Sequence, residues 1–124
     1  MASTPLRIIV VDDSPWFRWT IRNILEKQPN LQIVAEAGDG AYGIQAVKTH
    51  RPDVVLMDIT MPVLDGIKAT RIIKSKLPNV RVIILSMHDA ESISGAAYGA
   101  GACGCLSKGC SAKEIIQTIM TAGI

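Results

Sequence analysis

No apolar run in this 124-residue chain approaches the roughly 20 residues needed to cross a bilayer, and Met1-Ala2-Ser3-Thr4-Pro5 lacks the charged-then-apolar plan of a secretory signal. The expectation is a cytoplasmic domain with no membrane contact. Charge of one sign is also scarce. Thirteen Lys and Arg against eleven Asp and Glu leave a net charge of +2, without the dense basic stripe of a nucleic-acid-binding surface. Cysteine is sparse and odd in number. Cys103, Cys105 and Cys110 lie close together, but zinc would need a fourth soft ligand and a wider gap than the single residue between Cys103 and Cys105. Reduced, mostly buried thiols in a short apolar strand are expected instead. Linkers, repeats and low-complexity tracts are missing too, so residues 1–124 read as one domain. What is abundant is apolar side chain: 48% hydrophobic against 19% charged residues describes a globular core that needs no metal or disulfide staple.

The most informative stretch runs from Val54 to Gly66. Val54-Val55-Leu56-Met57 leads without alternation into Asp58, and Pro62 and Gly66 then forbid the strand from continuing. A carboxylate at the carboxyl end of a buried parallel strand faces the crevice where open α/β sheets bind ligands, although a strand-end Asp also commonly caps the next helix.

Other segments repeat the strand-then-helix pattern. Ile8 to Val11 is a β-branched run ending in Asp12-Asp13; Ser14 as N-cap and Pro15 at the first helical position start a helix to about Lys27. Phe17, Ile21, Ile24 and Leu25 form its core stripe, leaving Trp16 and Trp19 off it. Leu31 to Ala37 is a second strand, Gly38-Asp39-Gly40 a turn, and Ala41 to His50 a helix using Ile44 and Val47. After the central strand, a helix from Ile67 to Lys76 buries Ile67, Thr70 and Ile73 and turns Lys68, Arg71 and Lys74 to solvent. Val82 to Ser86 is a fourth strand. Asp89 is placed to cap a fourth helix through Tyr98 which, poor in large apolar residues and carrying Gly95, is the least firmly held element. Cys103 to Ser107 is a fifth strand ending at Lys108. Ser111 and Glu114 make a capping box for a last helix from Ala112 that turns Ile115, Ile116 and Ile119 inward.

Five strands alternating with five helices argue for an open parallel sheet covered on both faces. The strand order 2-1-3-4-5, adopted from known doubly wound proteins and not read from the spacing, makes strands one and three neighbours about 4.8 Å apart. Asp12, Asp13 and Asp58 then surround one small space, with Ser86 and Lys108 completing the rim. Crowded carboxylates repel one another and raise their own pKa values unless a cation joins them, and hard oxygen ligands describe Mg²⁺. With that ion, Asp58 acts as a nucleophile forming an acyl phosphate, Lys108 neutralises charge on the phosphoryl oxygens, and the Ser86 hydroxyl donates to one of them.

Asp12-Asp13 after the first strand, Asp58 followed by Met61-Pro62 and Asp65-Gly66, Ser86 after the fourth strand and Lys108 after the fifth resemble the receiver domain of bacterial two-component response regulators. The resemblance covers essentially the whole chain. It implies the flavodoxin-like (βα)5 fold and a regulatory phosphoacceptor, not an enzyme with substrates of its own. Asp58 would take the phosphoryl group from a sensor histidine kinase, Mg²⁺ would be held by Asp12, Asp13, Asp58 and the main-chain carbonyl of Thr60, and Lys108 would contact the phosphoryl group. Ser86 would be the switch hydroxyl. Ser86-Met87-His88-Asp89 and Gly101-Ala102-Cys103-Gly104 look most like the NarL/FixJ branch, whose members usually carry a C-terminal helix-turn-helix domain. DNA contact is expected only through such an output domain, which these 124 residues do not include.

The chain departs from the family at Cys105, where Tyr or Phe often stands, and at Gly109, where many members have Pro. The response is then expected to rest on Ser86 and the fourth helix, with helix four, strand five and helix five as output face and as the surface for a homodimer. Trp16 and Trp19 are candidates for the kinase-docking surface of the first helix, the alternative being packing over the sheet edge or the loops. A haloacid-dehalogenase-like hydrolase is disfavoured because its second Asp would fall at Thr60. A stand-alone receiver that relays phosphate or binds a protein target is the other alternative.

Overall fold

The computed structural model describes residues 4–87 and 90–123. Strands and helices alternate as β1 (Leu6–Val11), α1 (Pro15–Glu26), β2 (Leu31–Ala37), α2 (Gly40–His50), β3 (Val54–Asp58), α3 (Gly66–Lys76), β4 (Arg81–Ser86), α4 (Ala90–Gly99), β5 (Gly104–Ser107) and α5 (Ala112–Ala122). The strands form one parallel sheet in the order β2-β1-β3-β4-β5, the flavodoxin-like arrangement.

Strand alternation divides the core into two layers. Ile8, Val10, Val54, Leu56, Ile83 and Leu85 meet Phe17, Ile21 and Leu25 of α1 and Ile115 and Ile119 of α5. Ile9, Val11, Val55, Met57, Val82 and Ile84 face Val47, Ala69, Ile73 and Ala97 from α2, α3 and α4. Because both faces are covered, the central strands are continuous apolar runs, and each fully buried Ile or Leu contributes roughly 1.5–3 kcal/mol.

Side-chain caps fix where the helices begin. Ser14 Oγ accepts from Phe17 N–H at 3.2 Å, Asp39 Oδ1 from Tyr42 N–H at 2.8 Å, Asp65 Oδ1 from Lys68 N–H at 3.0 Å and Ser111 Oγ from Glu114 N–H at 3.1 Å. The turn read at residues 38–40 is thus the start of α2, with Asp39 as its N-cap. In α3 the fully buried positions are Gly66, Ala69, Thr70 and Ile73, while Ile67 is half-buried. Lys74 is not part of a solvated face: its ammonium donates to the carbonyls of Pro78 at 2.6 Å and Val80 at 2.8 Å, tying the end of α3 to the approach to β4. The cap read at Asp89 lies outside the described residues.

Strand β5 begins one residue later than the sequence suggests. Pairing starts at Ile83 with Gly104, so Cys103 sits exposed on the sheet margin, while Cys105 and Cys110 are half-buried; none of the three is in a disulfide. Among the described residues, no helix is long and apolar enough to cross a membrane.

Helix α4 holds to the sheet through little apolar area: Ala97 is buried and Ile93 half-buried, and a Cβ built on Gly95 meets nothing within 4 Å. Amide exchange in residues 93–98 is therefore expected to be faster than in α1 or α5. Gly95→Ala should raise stability by about 1 kcal/mol in urea unfolding, because it removes unfolded-state freedom without a clash.

Candidate functional site

The functional residues gather where strands end. Val11 pairs with Met57, so the next residues on β1 and β3 bring Asp12 and Asp58 to neighbouring positions above the sheet. One carboxylate oxygen from each of Asp12, Asp13 and Asp58 lies within 4.8 Å of the others. Asp12 and Asp58 are buried, while Asp13 is exposed. Asp12 is held through its own N–H, which donates to the Ala37 carbonyl at 3.0 Å, and through Oδ1, which accepts from Ser14 N–H at 2.9 Å. Asp58 Oδ1 accepts from Thr60 N–H at 3.3 Å.

Lys108 enters from the end of β5. Its Nζ lies 2.6 Å from Asp12 Oδ2 and 3.4 Å from Asp58 Oδ1, with the Phe17 ring centroid 4.6 Å away. Ser86, fully buried at the end of β4, accepts through its carbonyl from Lys108 N–H at 2.8 Å. Five of the residues singled out in the sequence thus stand at one edge: Asp12, Asp13, Asp58, Ser86 and Lys108. Thr60 follows on the exposed loop after β3.

The electrostatics of this edge are unbalanced. Burial, and after it the neighbouring Asp12 charge, push the Asp58 carboxyl up to about 6, against the opposing pull of Lys108 and the Thr60 N–H. Asp12 Oδ2 is buried and receives no hydrogen bond, although the Lys108 ammonium stands close as an ion pair. One ammonium among three carboxylates leaves excess negative charge, and an oxygen-only donor set with one exposed member fits a hard divalent cation that keeps part of its water.

The loop from β3 to α3 is held tightly beside this cluster. A Cβ at Gly66 would collide with the Asp58 carbonyl oxygen, and Gly66 N–H donates to the Ile59 carbonyl at 2.9 Å. Gly66 therefore does more than stop a strand: its bare backbone lets α3 start against Asp58. Val63, with φ of 72°, occupies a left-handed conformation rare for a β-branched residue, at a turn where Leu64 N–H donates to the Pro62 carbonyl at 2.8 Å.

Two contacts on α1 escape sequence reasoning. Phe17 lies beneath the Lys108 ammonium. Arg18 donates from Nη1 to the Asp12 main-chain carbonyl while its Nε stands 3.4 Å from Glu36 Oε1 on β2. Arg22 grips the same Glu36 with two hydrogen bonds of 2.7 and 2.9 Å. The i, i+4 spacing of the arginines hints at a shared acid, but Glu36 lies on another strand, and no local rule links them. Trp16 and Trp19 are 69% and 54% exposed and are not among the residues packed into either core layer.

Comparisons with known proteins identify the family. Residues 8–120 match the response regulator receiver domain. The chain belongs to this family, and its relatives include response regulators of the NarL/LuxR type. The transcriptional regulatory protein DegU of Brevibacillus brevis is 37% identical over 92% of this chain and 48% of its own length. A protein-glutamate methylesterase/protein-glutamine glutaminase of Rhodospirillum rubrum is 40% identical over 90% of this chain and 29% of its own length. Among solved structures, the signal receiver domain of the response regulator NarL from Mycobacterium tuberculosis superposes with a TM-score of 0.93 at 33% identity, covering 98% of both chains. The chain spans about half the length of the first curated relatives it matches.

Two outcomes follow from the geometry. Between about pH 4 and pH 6 the folded chain keeps a proton on Asp58 that the unfolded chain has released, so metal-free protein should lose roughly 2–3 kcal/mol of stability as pH rises through that interval. Melts in EDTA should show this slope in the wild type and a flatter one in Asp58→Asn, which should melt higher at pH 7. Gly66→Ala should cost about 2 kcal/mol or more, read by urea unfolding, because backbone must move to admit the methyl group.

Proposed function

We propose that this domain is the phosphoacceptor switch of a cytoplasmic two-component system, taking a phosphoryl group on Asp58 from the phosphohistidine of a sensor histidine kinase. The observation that carries the reading is the buried Asp58 carboxylate within one cluster with Asp12 and Asp13, with Lys108 Nζ between the two buried acids. In this reading Asp12, Asp13, Asp58 and the main-chain carbonyl of Thr60 hold Mg²⁺. When bound, the ion supplies the positive charge that keeps Asp58 ionised and offsets charge on the phosphoryl oxygens.

The protein's own groups do the rest. The Asp58 carboxylate oxygen attacks phosphorus in line, and the kinase histidine leaves with the electrons of its N–P bond. Lys108 moves its ammonium from the carboxylates toward the phosphoryl oxygens, and the Ser86 hydroxyl donates to one of them. Because Ser86 ends β4, its movement is felt by the weakly held α4, and the face of α4, β5 and α5 is the proposed output and homodimer surface. Trp16 and Trp19, exposed on α1 beside the site, are the proposed kinase contact. The activity is regulatory, limited to self-catalysed phosphoryl transfer and slow self-dephosphorylation, and DNA would be reached through a separate helix-turn-helix domain.

Incubation with acetyl phosphate tests the reading through intact mass. A gain of one phosphoryl group is expected with Mg²⁺, and none with EDTA or in Asp58→Asn. Absence of the gain in wild type under both conditions would overturn phosphoacceptance while leaving the fold intact.

A further inference from the structure

We propose that Arg18 is a positioning residue for the divalent cation: anchored by Glu36, its guanidinium clasps the Asp12 carbonyl and sets the peptide that joins Asp12 to Asp13. The inference rests on the cation site of the proposed function and deepens it.

The Asp12 side chain is already held at both oxygens, by Ser14 N–H on Oδ1 and by Lys108 beside Oδ2. Asp13 is different. It is exposed, follows the strand, and reaches the cluster from a direction set by the backbone before it. That backbone is the Asp12–Asp13 peptide, whose carbonyl accepts from Arg18 Nη1. Arg18 is itself oriented by Glu36, whose Oε1 lies 3.4 Å from its Nε and also accepts from Arg22 Nη2, while Arg22 Nε donates to Oε2. The side chains of Arg18 and Glu36 are only 21% and 23% exposed, so the clasp is partly shielded from water. A guanidinium offers separate donors to a carbonyl and a carboxylate at once, whereas an ammonium is a point charge that cannot span both. Groups in this outer position orient metal ligands without touching the metal, and their loss commonly costs tenfold or more in affinity.

Electrostatics alone predicts the opposite sign. A fixed positive charge beside a cation site repels the incoming ion, so deleting it should tighten binding. Orientation and charge therefore separate cleanly in one measurement.

Mn²⁺ binding, followed by the EPR signal of free Mn²⁺, should be compared among wild type, Arg18→Met, Arg18→Lys and Arg22→Met, with melting temperatures recorded for each. Weakening of about tenfold is expected in Arg18→Met, with a smaller loss in Arg18→Lys. Arg22→Met should lose less than either Arg18 variant, because it loosens Glu36 but leaves the Arg18 contact to the Asp12 carbonyl in place. Binding as tight as wild type or tighter in Arg18→Met would overturn the proposal. So would Arg18→Lys indistinguishable from wild type, or Arg22→Met as weak as Arg18→Met. Should Arg18→Met fail to fold, the contrast between Arg18→Lys and Arg22→Met decides alone. No Mn²⁺ binding by wild type would overturn this inference together with the cation site it rests on, a result distinct from failure in the variants only.

Discussion

Two buried carboxylates sharing one ammonium are the constraint on which the rest of this structure turns. Asp12 and Asp58 lie at the ends of adjacent strands, out of water, and Lys108 Nζ reaches both. Burying charge is costly unless it is paired and hydrogen-bonded, and one cation cannot satisfy two anions with a third nearby. The fold responds with local donors: Ser14 N–H to Asp12, Thr60 N–H to Asp58, and an aromatic face beneath Lys108. Burial, and after it the neighbouring Asp12 charge, keep the Asp58 proton affinity high. On the proposed function, such a cluster responds to a cation or a phosphoryl group because either arrival changes a balance that the protein alone does not close.

The parallel sheet explains why such a cluster exists at all. Its strands are covered on both faces, so side chains at their carboxyl ends emerge from a dry core into a crevice between two neighbouring strands. Lys108 arrives from β5 and Ser86 from β4, and the hydrogen bond from Lys108 N–H to the Ser86 carbonyl makes them mechanically continuous. On the proposed function, movement at one is felt at the other, and the strands they end, β4 and β5, both contact the loosely packed α4.

Much of this was legible in the residues. Unbroken apolar runs such as Val54 to Met57 announce strands buried on both faces, and Asp12, Asp13, Asp58, Ser86 and Lys108 stand out because each ends such a run. Helix starts were readable where Ser14 or Ser111 precedes an apolar stripe, since capping is local chemistry. The strand order was not contained in the spacing and had to be taken from known folds. Lys74 and Arg18 were misread or missed for one reason: each satisfies a carbonyl whose position depends on chain folding, and a charged side chain on a helix looks the same whether it faces water or a buried acceptor. Cys103 failed differently. Apolar character extends past the point where an edge strand loses its partner, and periodicity does not register where pairing begins.

The first turns of α1 place opposed demands on successive residues. Trp16 and Trp19 point to solvent, while Phe17 and Arg18 between them touch Lys108 and the Asp12 carbonyl. On the proposed function, a helix interleaved in this way separates a recognition surface from the reacting site within four consecutive positions. If Trp16 and Trp19 are the kinase contact, as proposed, the outer pair is free to diverge after gene duplication while the inner pair stays under the discipline of the site. Insulation between related signalling routes can thus evolve by changes at two surface positions without rebuilding the chemistry one residue away.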